Sequence, residues 1–212
     1  MKLLAAVLAA ALGLLPLSAA ADGTSGQFDF YVLALSWSPS YCRSAGPSAD
    51  QAQCGPDAKS DFIVHGLWPQ NEHGYPESCS TKEPLRVPYS LAATLSDLMP
   101  ARLVFTEWRR HGTCTGLTQS DYLALIRSAR ARIAIPRSLA DPAQETQVAA
   151  HEIEDAFTAA NPGLSSRGIA VSCKDESLAE VRVCLTKSLD FRRCAEVDER
   201  GCNARRLRVP AG

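Results

Sequence analysis

The chain has 212 residues, 46% of them apolar, and its 22 basic and 23 acidic residues give a formal net charge of −1. This length is enough for one domain with a hydrophobic core. The balanced charge excludes a protein held to nucleic acid mainly by bulk positive charge, so any RNA or DNA must be bound through local contacts.

Residues 1–21 have the pattern of a secretory signal peptide. Lys2 precedes an apolar run from Leu3 to Leu17, and small residues then lead to Ala21. The run is shorter than the ~20 residues of a membrane span, which favours a cleaved leader over an uncleaved anchor. We expect cleavage after Ala21, or after Ala20. Residues 22–212 then form one secreted or periplasmic domain that makes no membrane contact.

The rest of the chain alternates between strand and helix patterns. Runs rich in apolar, β-branched and aromatic residues predict strands over 28–35, 61–64, 168–173 and 181–189. Helical spacing and end signals predict helices over 90–98, 103–111, 120–133 with Ser120 as the cap, and 144–160. Prolines and glycines make 69–89 a loop, expected to cover a cleft. We therefore expect one α+β domain with helices packed on a central, mostly antiparallel sheet.

All eight cysteines follow the leader, at positions 42, 54, 79, 114, 173, 184, 194 and 202. An even number of cysteines behind a signal peptide indicates disulfides formed in an oxidising compartment. The competing interpretation is a zinc site, but none of the gaps has the short spacing that zinc ligands use. The sequence alone does not determine which cysteines pair.

Two segments carry the candidate chemistry: His65-Gly66-Leu67-Trp68-Pro69 and Glu107-Trp108-Arg109-Arg110-His111-Gly112-Thr113-Cys114. Each places a histidine close to a tryptophan and a glycine. Two histidines can act as general acid and general base at one reacting centre. This division suits cleavage of a phosphodiester by an internal hydroxyl, where one proton leaves the nucleophile as another reaches the leaving group.

Glu107 and His111 are four residues apart on the predicted helix, so we expect them on one face, with the carboxylate favouring the imidazolium of His111. A surface ion pair is the simpler interpretation of this spacing. A zinc protease is excluded, because its H-E-x-x-H motif needs a second histidine on that face. His65 is expected at the end of its strand, where a structural role is the alternative. His73 is expected in solvent with some prospect of reaching a substrate, and His151 on a polar helix face.

The two segments resemble the active-site signatures of the ribonuclease T2 family, and the opening stretch from Phe30 to Cys42 is similar to the family's first strand and turn. The similarity extends from Phe28 to Cys202. It implies a secreted, metal-independent endoribonuclease in which His111 is the general base, His65 the general acid, and Glu107 an electrostatic stabiliser of the phosphorane. It also implies the disulfides Cys42–Cys54, Cys79–Cys114, Cys173–Cys202 and Cys184–Cys194.

Several residues depart from the family's common pattern. Arg110 stands where relatives commonly have a phosphate-binding lysine, and we expect it to keep that role although the two residues are not interchangeable. Thr106 replaces a third histidine that some members carry, so that contribution is absent or supplied elsewhere. Gln70 stands where some relatives have an aspartate that selects the base. Its amide has donor and acceptor faces, so we expect weak base preference.

The remaining expectations concern substrate contacts and partners. Trp68 and Tyr75 are candidate base-stacking surfaces, although Trp68 fits the core equally well. Trp37 and Tyr41 are candidates for a neighbouring nucleotide site, with a core position favoured for Trp37. The resemblance implies a monomer that cuts single-stranded RNA, spares DNA and needs no cofactor. The alternative is a protein of the same fold used as an inhibitor or binding partner, which the presence of both histidines disfavours.

Overall fold

The computed structural model describes residues 23–56, 58, 61–140 and 142–211, and the predicted signal peptide lies outside them. Within this part of the chain, six strands form one sheet in the order β2-β1-β5-β6-β3, with β4 paired to β5. All ladders are antiparallel except the short contact between β5 and β6. The strands are β1 (Phe30–Trp37), β2 (Phe62–Gln70), β3 (Thr146–Val148), β4 (Ile169–Lys174), β5 (Ser177–Leu185) and β6 (Leu207–Val209).

The helices of the described residues are α1 (Ser38–Ala45), α2 (Gln51–Cys54), α3 (Tyr89–Ala92), α4 (Ala101–Arg110), α5 (Gln119–Ala131), α6 (Ala150–Ala160) and α7 (Ala195–Glu199). Short 3₁₀ turns occur at 46–48, 93–95, 112–114, 137–139 and 166–168. The expected α+β fold with a mostly antiparallel sheet is confirmed. None of the described helices is long and apolar enough to cross a membrane.

The two faces of the sheet have different neighbours. Alternate residues of β1, including Leu33 and Leu35, enter the main core with side chains from α3, α4, α5 and α6. Phe30 and Val32 point to the other face and pack in a smaller cluster near α7. The side chains of a strand alternate between faces, so this arrangement leaves the second face of β1, β2 and β5 partly free for a site.

Four disulfides join Cys42–Cys54, Cys79–Cys114, Cys173–Cys202 and Cys184–Cys194. These are the pairs that the family resemblance implied. The second bridge ties the 3₁₀ turn after α4 to the loop between β2 and α3, and the fourth ties α7 to β5. Both therefore fix segments that border the free face of the sheet.

The second strand is longer than expected. The predicted strand 61–64 continues to Gln70, so His65 lies inside β2 and not at its end. Pro69 suggested a loop, but β2 is an edge strand, where a missing N–H donor is tolerated. The expected loop 69–89 therefore begins only after Gln70.

Other boundaries also differ from the predictions. The helix expected over 90–98 is α3 followed by a 3₁₀ turn, and the helix expected over 144–160 begins only at Ala150, since residues 146–148 pair with β6. Thr118, and not Ser120, caps α5 by accepting the N–H of Asp121. The strand expected over 181–189 runs from Ser177 to Leu185, and α1, α2, α7 and β6 were not predicted.

Candidate active site

A β-bulge in β2 presents His65. Ala34 of β1 pairs with Gly66 and the next residue, Leu35, pairs with Val64, so His65 is the extra residue between them. A bulge leaves one residue unpaired and re-aims its side chain. His65 is thereby half-buried on the free face, while Val64 and Leu67 stay in the main core.

His65 lies in the wall of a cavity of about 260 Å³. The residues around this cavity come from β1, β2, β5, α4, α7 and the loop after β2. They are Val32, His65, Trp68, Gln70, Tyr75, Glu107, Arg110, His111, Glu180, Arg182, Glu196, Val197 and Arg200. The structure therefore brings together the residues that the sequence predicted for catalysis, phosphate binding and base binding, but not Trp37 or Tyr41.

Two carboxylates face the ring of His65. Nδ1 is hydrogen-bonded to Glu180, and Nε2 lies 3.7 Å from Oε1 of Glu107. Burial lowers the pKa of His65, but the hydrogen bond and charge of Glu180, together with the charge of Glu107, outweigh it and leave the pKa above its ordinary value. His65 thus favours the imidazolium, the form that can give a proton.

Glu180 is a buried carboxylate held from three sides. Arg182 donates to its Oε2 from Nε and Nη2, at 3.0 and 2.8 Å, and Ser36 donates to its Oε1 at 3.5 Å. Burial raises the pKa of Glu180, but the hydrogen bond and charge of His65 and the charge of Arg182 bring it down to about 2. Glu180 therefore favours the carboxylate form, and its hydrogen bond orients the ring of His65.

The sheet topology explains why these groups meet. β1 lies between β2 and β5, and Ala34 and Ser36 pair with Arg182 and Glu180. These two β1 residues are small, so the long side chains of β5 can reach across them to the bulge of β2. Sequence reasoning missed Glu180 and Arg182. The alternation of Val181 and Val183 indicated a strand, but charged residues on its opposite face are typical of solvent exposure.

Glu107 is buried in α4 and is held by Trp68. The indole Nε1 donates to Oε2 of Glu107 at 2.7 Å. Burial raises the pKa of Glu107 above its ordinary value, although His65, Trp68 and Arg110 oppose the shift. A carboxyl group with a raised pKa can be protonated within an active site and can then donate a hydrogen bond to a developing oxyanion.

His111 has the opposite charge preference. Burial, then the charges of Arg110 and His65, lower its pKa to about 3. Its ring lies 5.3 Å from that of Trp68, and its buried Nδ1 makes no hydrogen bond to the described residues. His111 is therefore neutral and able to accept a proton.

The prediction that Glu107 favours the protonated form of His111 is wrong. The sequence predicted that this carboxylate would favour the imidazolium of His111 from the same helix face, whereas it faces His65 and Trp68. Helix α4 ends at Arg110, and His111 has φ −120° and ψ −43°, outside the helical region. The i, i+4 geometry therefore does not extend to the imidazole, and desolvation determines its charge.

Each motif contains a glycine that allows close packing. A Cβ on Gly66 would lie 2.1 Å from Oε2 of Glu107 and 2.4 Å from Nε1 of Trp68. A Cβ on Gly112 would lie 2.4 Å from Cε3 of Trp108. The glycine after each histidine is thus required, because other side chains occupy the space that its own side chain would need. At Gly66 these belong to the site, and at Gly112 they belong to the core beneath it.

The candidate base- and phosphate-binding residues border the same cavity. Trp68 is half-buried and Tyr75 is 42% exposed. Gln70 is buried, and its amide nitrogen Nε2 donates to the carbonyl of Gly74 at 3.0 Å. The side chain of Trp68 is thus neither fully buried in the core nor fully exposed to solvent. Arg110 forms an ion pair with Glu77, so one edge of its guanidinium is already engaged.

The other candidates are not among the residues that border this cavity. His73 is almost fully exposed, 3.7 Å from Glu196, and His151 is exposed on α6. Trp37 is buried in the main core and donates to the carbonyl of Pro210, in agreement with the favoured core position. Tyr41 is partly exposed and borders a second cavity beside His65. Among the described residues, no group of three or more His, Cys, Asp or Glu side chains is placed to hold a metal ion.

Comparison with known proteins places this geometry in a family. The model of the ribonuclease T2 family matches residues 28–194. The chain belongs to the ribonuclease T2 family. It is therefore an endoribonuclease of that family, as the two signatures predicted. A protein described as a ribonuclease from Aeromonas hydrophila is 37% identical over 172 residues, covering 79% of this chain and 76% of the relative.

Solved structures share the fold of this ribonuclease. RNase NT in complex with 5′-AMP is 23% identical and superposes with a TM-score of 0.71, over 88% of this chain and 100% of that one. An RNase-related protein from Calystegia sepium is 20% identical with a TM-score of 0.68, over 87% of this chain and 98% of that one. These two likenesses support the fold alone.

Proposed function

We propose that this T2-family chain is a metal-independent endoribonuclease that cuts single-stranded RNA through attack of the ribose 2′-hydroxyl. The observation that carries the proposal is the opposite charge preference of two histidines at one cavity, with neutral His111 and cationic His65. A neutral imidazole accepts a proton and an imidazolium gives one. The cyclising cleavage needs both transfers in one step.

In the first step, His111 removes the proton from the 2′-hydroxyl, and the 2′-oxygen forms a bond to phosphorus. The bond from phosphorus to the 5′-oxygen of the next nucleoside breaks, and His65 protonates that oxygen. The products are a 2′,3′-cyclic phosphate and a free 5′-hydroxyl. Each positioned acid or base is worth roughly 10²–10⁴ in rate.

In the second step, the histidines exchange roles. Neutral His65 removes a proton from water, whose oxygen bonds to phosphorus, and the bond to the 2′-oxygen breaks. His111, protonated in the first step, returns its proton to that oxygen. The product is a 3′-phosphate, and both histidines regain their starting forms.

Two neighbouring groups stabilise the charge on phosphorus. Glu107, whose pKa burial raises, donates a hydrogen bond to a non-bridging oxygen of the phosphorane once it is protonated. Arg110 borders the cavity beside His111 and supplies positive charge to the phosphate. Its pairing with Glu77 limits this contribution to the part of the guanidinium that Glu77 leaves free.

Glu180 is a positioning residue that acts through His65. Its carboxylate accepts the Nδ1 proton, which directs Nε2 of His65 toward the side of Glu107 and the cavity. The same charge keeps His65 protonated before cleavage. Arg182 in turn holds the second oxygen of Glu180, so the carboxylate cannot rotate away.

The base of the attacking nucleotide is held with weak discrimination. Tyr75 and the half-buried Trp68 supply aromatic surface, and stacking is worth about 1–3 kcal/mol per base whatever the base. The amide of Gln70 gives one of its two N–H groups to the carbonyl of Gly74, which leaves the other N–H and the oxygen for a base. A group that can both donate and accept does not by itself separate four bases.

The cysteines and the predicted leader support a setting outside the cytoplasm. Four disulfides suit an oxidising compartment, so we place the mature chain, residues 22–212, in the periplasm or outside the cell as a monomer. DNA is not a substrate, because it lacks the 2′-hydroxyl that the mechanism uses as nucleophile.

The test is cleavage of one RNA and its DNA counterpart in the presence of EDTA. We expect RNA cut to cyclic-phosphate ends that later open, and DNA left intact. His65→Ala and His111→Ala should each lose roughly 10²–10⁴ in kcat. His151→Ala is the matched control, since its side chain is exposed on α6 and does not border the cavity, and it should retain activity.

Two results would overturn the proposal. No RNA cleavage by the disulfide-bonded chain would favour a binding or inhibitory role on the same fold. Activity abolished by EDTA and restored by a metal would keep the ribonuclease and remove the metal-independent mechanism.

A further inference from the structure

The turn after β2 connects two of the candidate base-binding residues. Gln70 ends the strand and Tyr75 follows Gly74, so residues 71–74 set the position of one side chain relative to the other. Gly74 has a φ of +71°, a conformation that favours glycine, and no atom lies within 4 Å of the position that a Cβ would take. The turn is thus open around Gly74 and depends on contacts with other elements to keep one position beside the cavity.

Gly74 is the centre of the hydrogen bonds in this turn. Its carbonyl accepts Nε2 of Gln70 and the N–H of Asn71, both at 3.0 Å. Its own N–H donates to Oε2 of Glu196 at 2.9 Å, and Glu196 belongs to α7, 122 residues further along the chain. A single glycine therefore joins the amide of Gln70 on one side to a carboxylate of a distant element on the other.

Helix α7 anchors Glu196 to the sheet. Cys194, the residue before the helix, is bridged to Cys184 of β5, and Val197 packs in the smaller core cluster on the free face of β1. The side chain of Glu196 is only 16% exposed, and its Oε1 forms an ion pair with Nη2 of Arg200 at 2.8 Å. The carboxylate is therefore confined, with one oxygen on the turn and the other beside a cation.

The other long-range contacts of the turn lie at its exposed tip. The N–H of Glu72 donates to Asp29 at 2.7 Å, and Arg192 donates to the carboxylate of Glu72 at 2.6 Å. Exposed pairs of this kind contribute little stability. His73 is almost fully exposed, and its Nδ1 is 3.7 Å from Oε2 of Glu196, too far for a hydrogen bond. Of the contacts to Asp29, Arg192 and Glu196, the last is the least exposed.

We infer that Glu196 is a positioning residue for the base of the attacking nucleotide, because it holds Gln70 and Tyr75 at the wall of the cavity through the N–H of Gly74. The inference rests on the proposed function, in which these two residues contact that base. Without the carboxylate, the N–H of Gly74 would be left to water and the turn would take several positions. Part of the binding free energy would then be used to order the turn, which weakens substrate binding.

The test compares Glu196→Ala and Glu196→Gln on two substrates. One is a dinucleoside monophosphate, and the other is the same compound with hydrogen in place of the base on the attacking ribose. Alanine removes the acceptor, so we expect kcat/KM for the first substrate to fall roughly tenfold, mostly through KM, as loss of a charge-assisted hydrogen bond would. The abasic compound should change much less, because it presents no base to the turn. Glutamine keeps an oxygen acceptor and should restore most of the loss.

A second measurement follows the contact itself. Hydrogen exchange at the amide of Gly74 should be faster in Glu196→Ala than in the wild type, and close to the wild type in Glu196→Gln. Glu199→Ala is the matched control, because it removes an exposed carboxylate that lies on the same helix and does not border the cavity. It should change neither the kinetics nor the exchange.

Equal losses on both substrates in Glu196→Ala would overturn the inference, because the effect would then reach the catalytic histidines. Unchanged kinetics, or unchanged exchange at Gly74, would overturn it too, since the other contacts would then hold the turn. A wild-type chain that cuts neither substrate would instead overturn the proposed function, and exchange at Gly74 would still show whether Glu196 holds the turn.

Discussion

His65 and His111 have the same intrinsic pKa, and their surroundings separate them. Two carboxylates face His65, whereas His111 is buried beside Arg110 without an acidic partner among the residues that affect its pKa. On this basis kcat/KM should rise as the pH passes the pKa of His111, about 3, and fall as the pH passes the raised pKa of His65. The basic limb of the profile therefore reports on the general acid.

Glu180→Gln should move that basic limb to lower pH. Glutamine keeps the shape of the side chain but removes the charge that raises the pKa of His65. We expect kcat/KM at pH 8 to fall by roughly 10- to 100-fold, with a smaller loss near pH 5, because His65 regains its proton as the pH falls. The measurement is a full pH–rate profile on a dinucleoside monophosphate.

The matched control for this variant is Asp97→Asn. It also breaks a bidentate carboxylate–arginine pair, with Arg127, but on the surface away from the cavity, and should leave the profile unchanged. A Glu180→Gln enzyme whose activity fell equally at all pH values would show a purely structural role for this carboxylate.

At the scale of elements, the site depends on the close approach of β2 and α4. Gly66 lies where the bulge of β2 meets the carboxylate of Glu107, and the indole of Trp68 bridges the two elements. The HG pair of the first motif thus has two physical reasons: the histidine occupies the bulge, and the glycine makes room for an acid from a helix. The sequence motif alone indicates a functional histidine. The reason for the glycine becomes clear only from its tertiary contact with Glu107 and Trp68.

Gly66→Ala tests this packing without changing any charge. The new Cβ would overlap the carboxylate of Glu107 and the indole nitrogen of Trp68, so one of them must move. We expect kcat to fall by roughly 10- to 100-fold, since small displacements of positioned groups have effects of this size. Single-turnover kinetics on a short RNA would measure it.

Gly26→Ala serves as a spatial control, because no atom lies within 4 Å of the Cβ position there, although its positive φ adds strain. It should cost stability and not kcat. Full activity in Gly66→Ala would contradict the packing argument.

At the scale of the whole molecule, the sequence predicted the local part of the site and missed the part that tertiary pairing creates. His65, Glu107 and His111 belong to contiguous motifs, the second of which ends at Cys114. Glu180 reaches His65 across 115 positions of sequence, because β1 lies between β2 and β5. Strand order and register decide such contacts, and neither can be read from the residues of one strand.

The same limit explains the errors in the fold. Pro69 reads as a strand breaker in sequence, but its edge position makes it harmless. Residues 146–148 read as the first turn of a helix, but they pair with β6 near the end of the chain. The α+β class was predictable because it depends on periodicity within segments, whereas these details depend on partners that are distant in sequence.

Removing the Cys79–Cys114 bridge, by alanine at both positions, should affect stability and activity together. Its closing separation of 35 residues corresponds to a loss of about 3–4 kcal/mol in the free energy of unfolding. Cys114 follows His111 by three residues. We therefore expect kcat to fall even at temperatures well below the melting temperature, where the variant is folded. Urea unfolding and RNA cleavage at 25 °C would measure the two effects.

The Cys42–Cys54 bridge provides the comparison, since it joins α1 to α2 away from the catalytic cavity. Its removal should reduce stability and leave kcat unchanged. Equal losses of activity in the two variants would contradict the specific role of the bridge at Cys114.

The central claim, that His65 is the acid and His111 the base, is tested most directly with an RNA linkage whose 5′-oxygen is replaced by sulfur. A thiol is a far stronger acid than an alcohol, with a pKa of about 8.5, so it departs without a proton from the enzyme. His65→Ala should cut this linkage within roughly tenfold of the wild-type rate while losing roughly 10²–10⁴ on the oxygen linkage, and His111→Ala should fail on both. Rescue of His111→Ala, or of neither variant, would contradict the account.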